Sequence, residues 1–165
     1  STDKPYCKAL PEVIHTIKEA DVIVFGPGSL YTSIIPNIII REVAQAIEQS
    51  KAVKVYVCNI MTQPGETTGY SVADHVRAIM KHGGAKLIDV VLMYSAKLPD
   101  DLLAKYRLEG AAPVEYRGKD DERDINVEFV SADLADFSKG LIRHNPQKLA
   151  REIVRIAWER INKRV

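Results

Sequence analysis

Apolar residues recur along this chain in two rhythms, a helical spacing near 3.6 and short continuous β-branched runs. From Pro11 to Ala20, Val13, Ile14 and Ile17 share one face, which predicts a helix. Asp21 to Phe25 predicts the first strand, and it ends abruptly in Gly26-Pro27-Gly28. A helical pattern then runs to about Ser50. Pro36 lies inside it and predicts a short first turn, a break, and a longer helix from Asn37. Val53 to Cys58 predicts a second strand with apolar residues on both faces, as in a covered parallel sheet. Ser71 to Lys81 predicts a helix closed by Gly83-Gly84, and Ile88 to Met93 a third strand. Pro99 to Leu108 reads as a helix, Val127 to Val130 as a fourth strand, and Pro146 to Lys163 as a closing helix. That last helix carries an apolar stripe at Leu149, Ala150, Ile153, Val154, Ala157 and Ile161, with Asn145 as its cap. Arg117 to Asp124 holds three basic and four acidic residues and reads as a solvated loop. Strands alternating with helices predict an α/β fold, a Rossmann-like three-layer α/β/α arrangement on a mainly parallel sheet.

Composition narrows the classes without naming one. The 165 residues suit a single domain with a proper core. Twenty-three basic residues against 22 acidic ones leave nothing that singles out nucleic acid or a membrane surface. From Arg143 to Val165 seven basic residues outnumber two acidic ones, but along a helix this reads as a solvated face. Apolar stretches are interrupted by Pro36-Asn37 or by charge, so no membrane-spanning segment is expected. Ser1 to Pro5 lacks the basic start and apolar core of a secretory leader. Cys7 and Cys58 are two and unclustered, which fits a reducing cytoplasm better than a disulfide framework or metal site.

The candidate chemistry collects where strands end, because ligands of open α/β sheets sit beyond the carboxyl ends of the strands. After the first strand, Gly26-Pro27-Gly28 allows a sharp turn with little side chain in the way. Ser29, Thr32 and Ser33 follow where a helix would begin, a place suited to an anion such as phosphate. The same residues also suit a plain helix cap. After the second strand, Asn59 to Ser71 is longer and more polar than a connection of about 2–6 residues requires. Ser71 and Asp74 have capping-box spacing, so Asp74 either satisfies that helix end or joins His75 as an acid–base pair. His75 also adjoins Val72, Val76 and Ile79, which suits a packing role. Glu66 could take a ribose hydroxyl or a metal, although one carboxylate beside Thr67 and Thr68 makes no metal site. Arg143 precedes the last helix and is well built to grip phosphate. A dinucleotide-dependent dehydrogenase is disfavoured, because the second strand ends in Asn59 where such a fold wants Asp or Glu.

Three stretches carry a resemblance: Gly26-Pro27-Gly28-Ser29-Leu30-Tyr31-Thr32-Ser33-Ile34-Ile35-Pro36-Asn37, Cys58 to Thr67, and Ser71 with Asp74-His75. They resemble the bacterial gluconeogenesis factor family, part of the CofD-like superfamily of 2-phospho-L-lactate transferase. The resemblance implies a cytoplasmic UDP-sugar-binding regulator, with a ligand such as UDP-N-acetylglucosamine, that supports cell shape, wall synthesis and growth on gluconeogenic carbon. On it, Gly26, Gly28, Ser29, Tyr31, Thr32, Ser33 and Arg143 would hold the nucleotide phosphates. Asn59, Thr62, Gln63 and Glu66 would face the sugar or ribose. The enzyme alternative is phospholactyl transfer to a deazaflavin, with Asp74, His75 or Glu66 as base and Mg²⁺ as a possible cofactor. The family begins with a glycine-rich strand-turn-helix that is not found here, so the chain is read as the C-terminal portion of a longer protein. Its expected partners are that N-terminal portion or a second copy.

Overall fold

A computed structural model describes residues 7–163; the segment read above for a leader, Ser1 to Pro5, lies outside them. Four parallel strands form the sheet: β1 (Val22–Phe25), β2 (Val53–Val57), β3 (Val90–Tyr94) and β4 (Glu128–Ala132). They lie side by side in chain order, with Val24 opposite Val55, Val55 opposite Val90, and Leu92 opposite Val130. Strands that always step the same way, joined by right-handed crossovers, send their connecting helices to one face. That face carries α2 (Ile35–Ile38), α3 (Arg41–Gln49) and α4 (Val72–Gly83). Ile38, Val43, Ile47, Val76 and Ile79 pack there on Phe25, Tyr56, Val91 and Met93. The helix α1 (Pro11–Glu19) lies against α3. The other face needs a separate cover. It is α7 (Pro146–Asn162), whose Leu149 and Ile156 meet Val53, Val55, Val57, Val90 and Leu92. Each such side chain contributes about 1.5–3 kcal/mol when fully buried, so β2, covered on both faces, anchors the fold. The three-layer α/β/α architecture on a parallel sheet is therefore present.

Between β3 and β4 stand α5 (Asp100–Leu108) and the short α6 (Lys119–Glu122). A two-stranded antiparallel ribbon, β5 (Ala135–Asp136) with β6 (Arg143–His144), follows β4. Asn145 caps α7 by accepting from the backbones of Gln147 and Lys148, with Pro146 at the first helical position, as the sequence predicts.

Two expectations need correction. The helical break does not fall at Pro36. A π-helical turn, Leu30–Ile34, runs straight into α2, where Pro36 lies in the first turn. The break comes at Ile39 and Ile40, where Ile40 is extended, and α3 starts at Arg41. The segment from Arg117 to Asp124 is also more than a solvated loop. It forms α6, and Asp121 is buried, accepting from Ser71 Oγ (2.9 Å) and the Arg117 backbone (2.7 Å). Charge alternation hid an inward carboxylate that ties this segment to the start of α4.

Asp121→Ala should therefore lower stability by about 1.5–3 kcal/mol, the scale of hydrogen bonds to a charged group. Urea unfolding measures it, and a change within about 0.5 kcal/mol, the surface-substitution range, would contradict the tie. His75 generates a second expectation. It is wholly buried, and burial holds its pKa below the ordinary histidine value against the pull of the Ser71 carbonyl and Asp74. The unfolded chain takes up that proton near pH 6.5 while the folded chain resists, so stability is full above about pH 6.5 and falls below it. Urea midpoints should drop between pH 7.5 and 5.5, and more gently in His75→Gln. Equal slopes in the two proteins would count against this role.

Candidate functional site

The end of β1 meets the end of β2 at very close range. Gly26 has φ +79°, and a Cβ there would lie 3.1 Å from the Val57 carbonyl oxygen. Glycine is required both for the backbone conformation and for the approach. The Gly26–Pro27 bond is cis. Beyond it, Pro27, Gly28 and Ser29 form one wall of an open cleft of about 480 Å³, within the roughly 300–1,000 Å³ usual for ligand sites. Asn59 to Gln63 form the floor. Tyr106 of α5 and Ile142, Arg143 and His144 at the ribbon close the far side. An apolar cluster of Ile60, Met61, Leu98, Ala135 and Ile142 lies beneath and fixes α5 and the ribbon to the floor.

The two loops are clamped to each other. Asn59 Nδ2 donates to the Gly28 carbonyl at 3.0 Å. Ser29 Oγ donates to Glu66 Oε2 at 2.6 Å and accepts from the Thr32 N–H at 3.2 Å. The loop after β2 also holds itself. Thr62 exchanges bonds with Ala112 through its backbone N–H (2.7 Å) and through Oγ1 (2.9 Å). Thr67, fully buried, takes the Gln63 N–H on its hydroxyl. Tyr106 braces the ribbon, its hydroxyl accepting from the Ile142 N–H (3.0 Å) and donating to the Ile142 carbonyl (3.4 Å).

The predicted residues divide into two groups. Gly28, Ser29, Asn59, Thr62, Gln63 and Arg143 converge on the cleft. Gly26 shapes the turn from below, and Glu66 stands behind Ser29. Tyr31 points to another recess, where its hydroxyl bonds that of Tyr70 at 2.7 Å and its ring meets His82 edge-on. Thr32 is exposed, and Ser33 lines a shallow hollow beside Asn37. Of the outward hydroxyls expected on this turn, that of Ser29 is therefore already spent. Asp74 and Ser71 form the capping box, and His75 Nδ1 bonds the Ser71 carbonyl at 2.8 Å; neither Asp74 nor His75 lines the cleft. The capping and packing readings account for both residues. No three His, Cys, Asp or Glu side chains among the described residues converge as a ready-made metal site.

Three cleft residues escaped sequence reasoning: Tyr106, Ile142 and His144. Tyr106 and Ile142 come from elements distant in the chain and carry no local signal. His144 had one, since it directly follows Arg143. Its Nε2 lies 3.2 Å from the Cys58 carbonyl oxygen, and burial holds its pKa below the usual histidine value against that carbonyl's pull. Burial likewise pushes the Cys58 thiol up to about 12, which keeps it protonated. Arg143 is exposed and makes no ion pair among the described residues. The backbone N–H groups of Gly28 and Ser29 have no partner among the described residues either.

Comparison with known proteins agrees with this architecture. The family model described as 2-phospho-L-lactate transferase CofD matches residues 1–135. The gluconeogenesis factor of Bacillus subtilis is 41% identical over 150 residues, covering 91% of this chain and 47% of that protein. The putative gluconeogenesis factor of Thermotoga maritima is 46% identical over 157 residues, covering 94% of this chain and 49% of that protein. A crystal structure of a UPF0052-family protein from Bacillus halodurans superposes with a TM-score of 0.84 at 42% identity, covering 88% of this chain and 47% of the other. The chain thus spans about half the length of the relatives it matches. No helix among the described residues is long and apolar enough to cross a membrane. By the extent of its match the chain belongs to the CofD family, in the company of the gluconeogenesis factors.

Proposed function

We propose that the cleft binds a nucleotide sugar of the UDP-N-acetylglucosamine type and that the protein is a cytoplasmic regulator without catalysis of its own. In this reading it serves cell shape, wall synthesis and growth on gluconeogenic carbon; of these, only the last is in keeping with the names of its relatives. One observation carries the reading. Two unpartnered backbone N–H groups, on Gly28 and Ser29, share a cleft with a guanidinium that has no carboxylate, Arg143. Unspent donors and an unpaired cation together favour an anion, and a diphosphate most of all. Asn59, Thr62 and Gln63 then border the sugar or ribose, with Glu66 acting through Ser29. The transferase alternative has less support, because Asp74 and His75 are spent on α4 and Glu66 on Ser29.

The relatives are about twice as long as this chain, so the complete site in our reading includes chain from outside it. β1 is one of the two edge strands, paired only with β2 among the described residues, and Val24 on it is exposed. We propose that a preceding portion of a longer chain, or a second copy, pairs along this edge.

Calorimetry with UDP-N-acetylglucosamine tests the reading. Arg143→Ala should weaken binding by about 1.5–3 kcal/mol, the usual scale for a hydrogen bond to a charged group. The loss should be larger for the UDP-sugar than for uridine, which has no diphosphate. Gly28→Val should abolish binding while circular dichroism stays native. These measurements use the longer protein that carries the complete site; equal losses for uridine and UDP-sugar, or no binding by its unaltered form, would reject the proposal.

A further inference from the structure

His144 lines the cleft beside Arg143, and its hydrogen bonding fixes which of its ring nitrogens carries a proton. The partner of Nε2 is the carbonyl oxygen of Cys58, at 3.2 Å. A carbonyl oxygen has no hydrogen to give, so Nε2 must be the donor. A neutral imidazole carries a single N–H, and burial favours the neutral ring here. Nδ1 is then a bare lone pair. It makes no hydrogen bond among the described residues, and it is not among the buried side-chain atoms that lack a partner, so it remains accessible.

The cleft is accordingly two-sided. Gly28 N–H, Ser29 N–H and Arg143 offer donors only. His144 Nδ1 offers an acceptor, joined by Asn59 Oδ1, since the other end of that amide is spent on the Gly28 carbonyl. A simple anion would satisfy the donors and leave these acceptors unmet. A ligand that meets both needs an anionic part and a hydroxyl- or amide-bearing part.

We propose that His144 Nδ1 accepts a hydrogen bond from a hydroxyl or amide N–H of the ligand, which makes His144 a specificity-determining residue. This rests on the nucleotide-sugar reading above. The Cys58 carbonyl positions the ring, holding its proton on the far side so that the cleft is met by a lone pair. A ligand that displaces water from this acceptor without offering a matching donor leaves it unpaired, and the site discriminates against such a ligand. We assign that donor to the saccharide part, so that His144 selects for it, whereas Arg143 responds to the diphosphate common to all such nucleotides.

The test combines calorimetry with ¹⁵N-histidine NMR. Wild-type protein should show His144 as the Nε2–H form, with the unprotonated Nδ1 signal shifting on addition of UDP-N-acetylglucosamine but not of UDP. His144→Phe should lose about tenfold or more in affinity for the UDP-sugar and less than about twofold for UDP, the asymmetry expected from one hydrogen bond. His144→Asn keeps an acceptor oxygen near the position of Nδ1 and should retain most of the preference. Equal losses for the two nucleotides in His144→Phe, or a ring protonated on Nδ1, would overturn the inference while leaving the nucleotide reading intact. If the longer wild-type protein binds neither nucleotide, that reading fails, and N-acetylglucosamine alone at high concentration decides the inference. A shift at Nδ1 then supports it, and no shift overturns it.

Discussion

The alpha carbon of Gly26 approaches the carbonyl of Val57 so closely that a methyl group there would be crowded, and the geometry of the cleft follows from that approach. Parallel pairing of β1 with β2 brings both strands to the same edge in register, Phe25 beside Tyr56. Only a residue without a side chain lets the first strand turn away while staying in contact with the second. The turn then passes over the start of the next loop, near enough for Asn59 to donate to Gly28 and for Ser29 to reach Glu66. The backbone of Gly28 and Ser29, whose N–H groups have no partner among the described residues, is thus fixed by side chains of a different loop. Mobility in the loop after β2 would be transmitted directly to the turn, and Thr62 and Thr67 limit it by bonding that loop internally and to Ala112.

Much of this was legible in the sequence, for reasons tied to the range over which each signal acts. Strands buried on both faces, such as Val53–Val57, stand out as continuous apolar runs, and helices with local caps announce their own starts. The parallel sheet and its layers followed from the alternation. What failed depended on partners far away in the chain. Pro36 looked like a helix breaker because a proline inside a pattern usually is one, yet the preceding π-helical turn makes it a first-turn residue. Asp121 looked solvated among its charged neighbours, and only Ser71, distant in sequence, explains its burial. The two-residue strands of the ribbon carry too few positions for any periodicity, although they place Arg143 and His144.

The same distinction separates functional candidates from structural ones. Ser71 and Asp74, three residues apart, satisfy each other as a helix cap, and His75 settles its Nδ1 on the carbonyl one turn back. These groups are accounted for by the helix they begin, and the one left without a partner, His75 Nε2, is wholly buried and outside the cleft. Gly28, Asn59 and the adjacent pair Arg143 and His144 come from three separate segments, and none has a local partner that uses all of its donors and acceptors. They retain unspent hydrogen-bonding groups at the point where they converge. Leaving such groups unmet in a solvent-reached cleft costs little, because water serves them until a ligand replaces it. Buried deeper, the same groups would destabilise the fold, which places a site of this kind at the open carboxyl edge of the sheet instead of within its core.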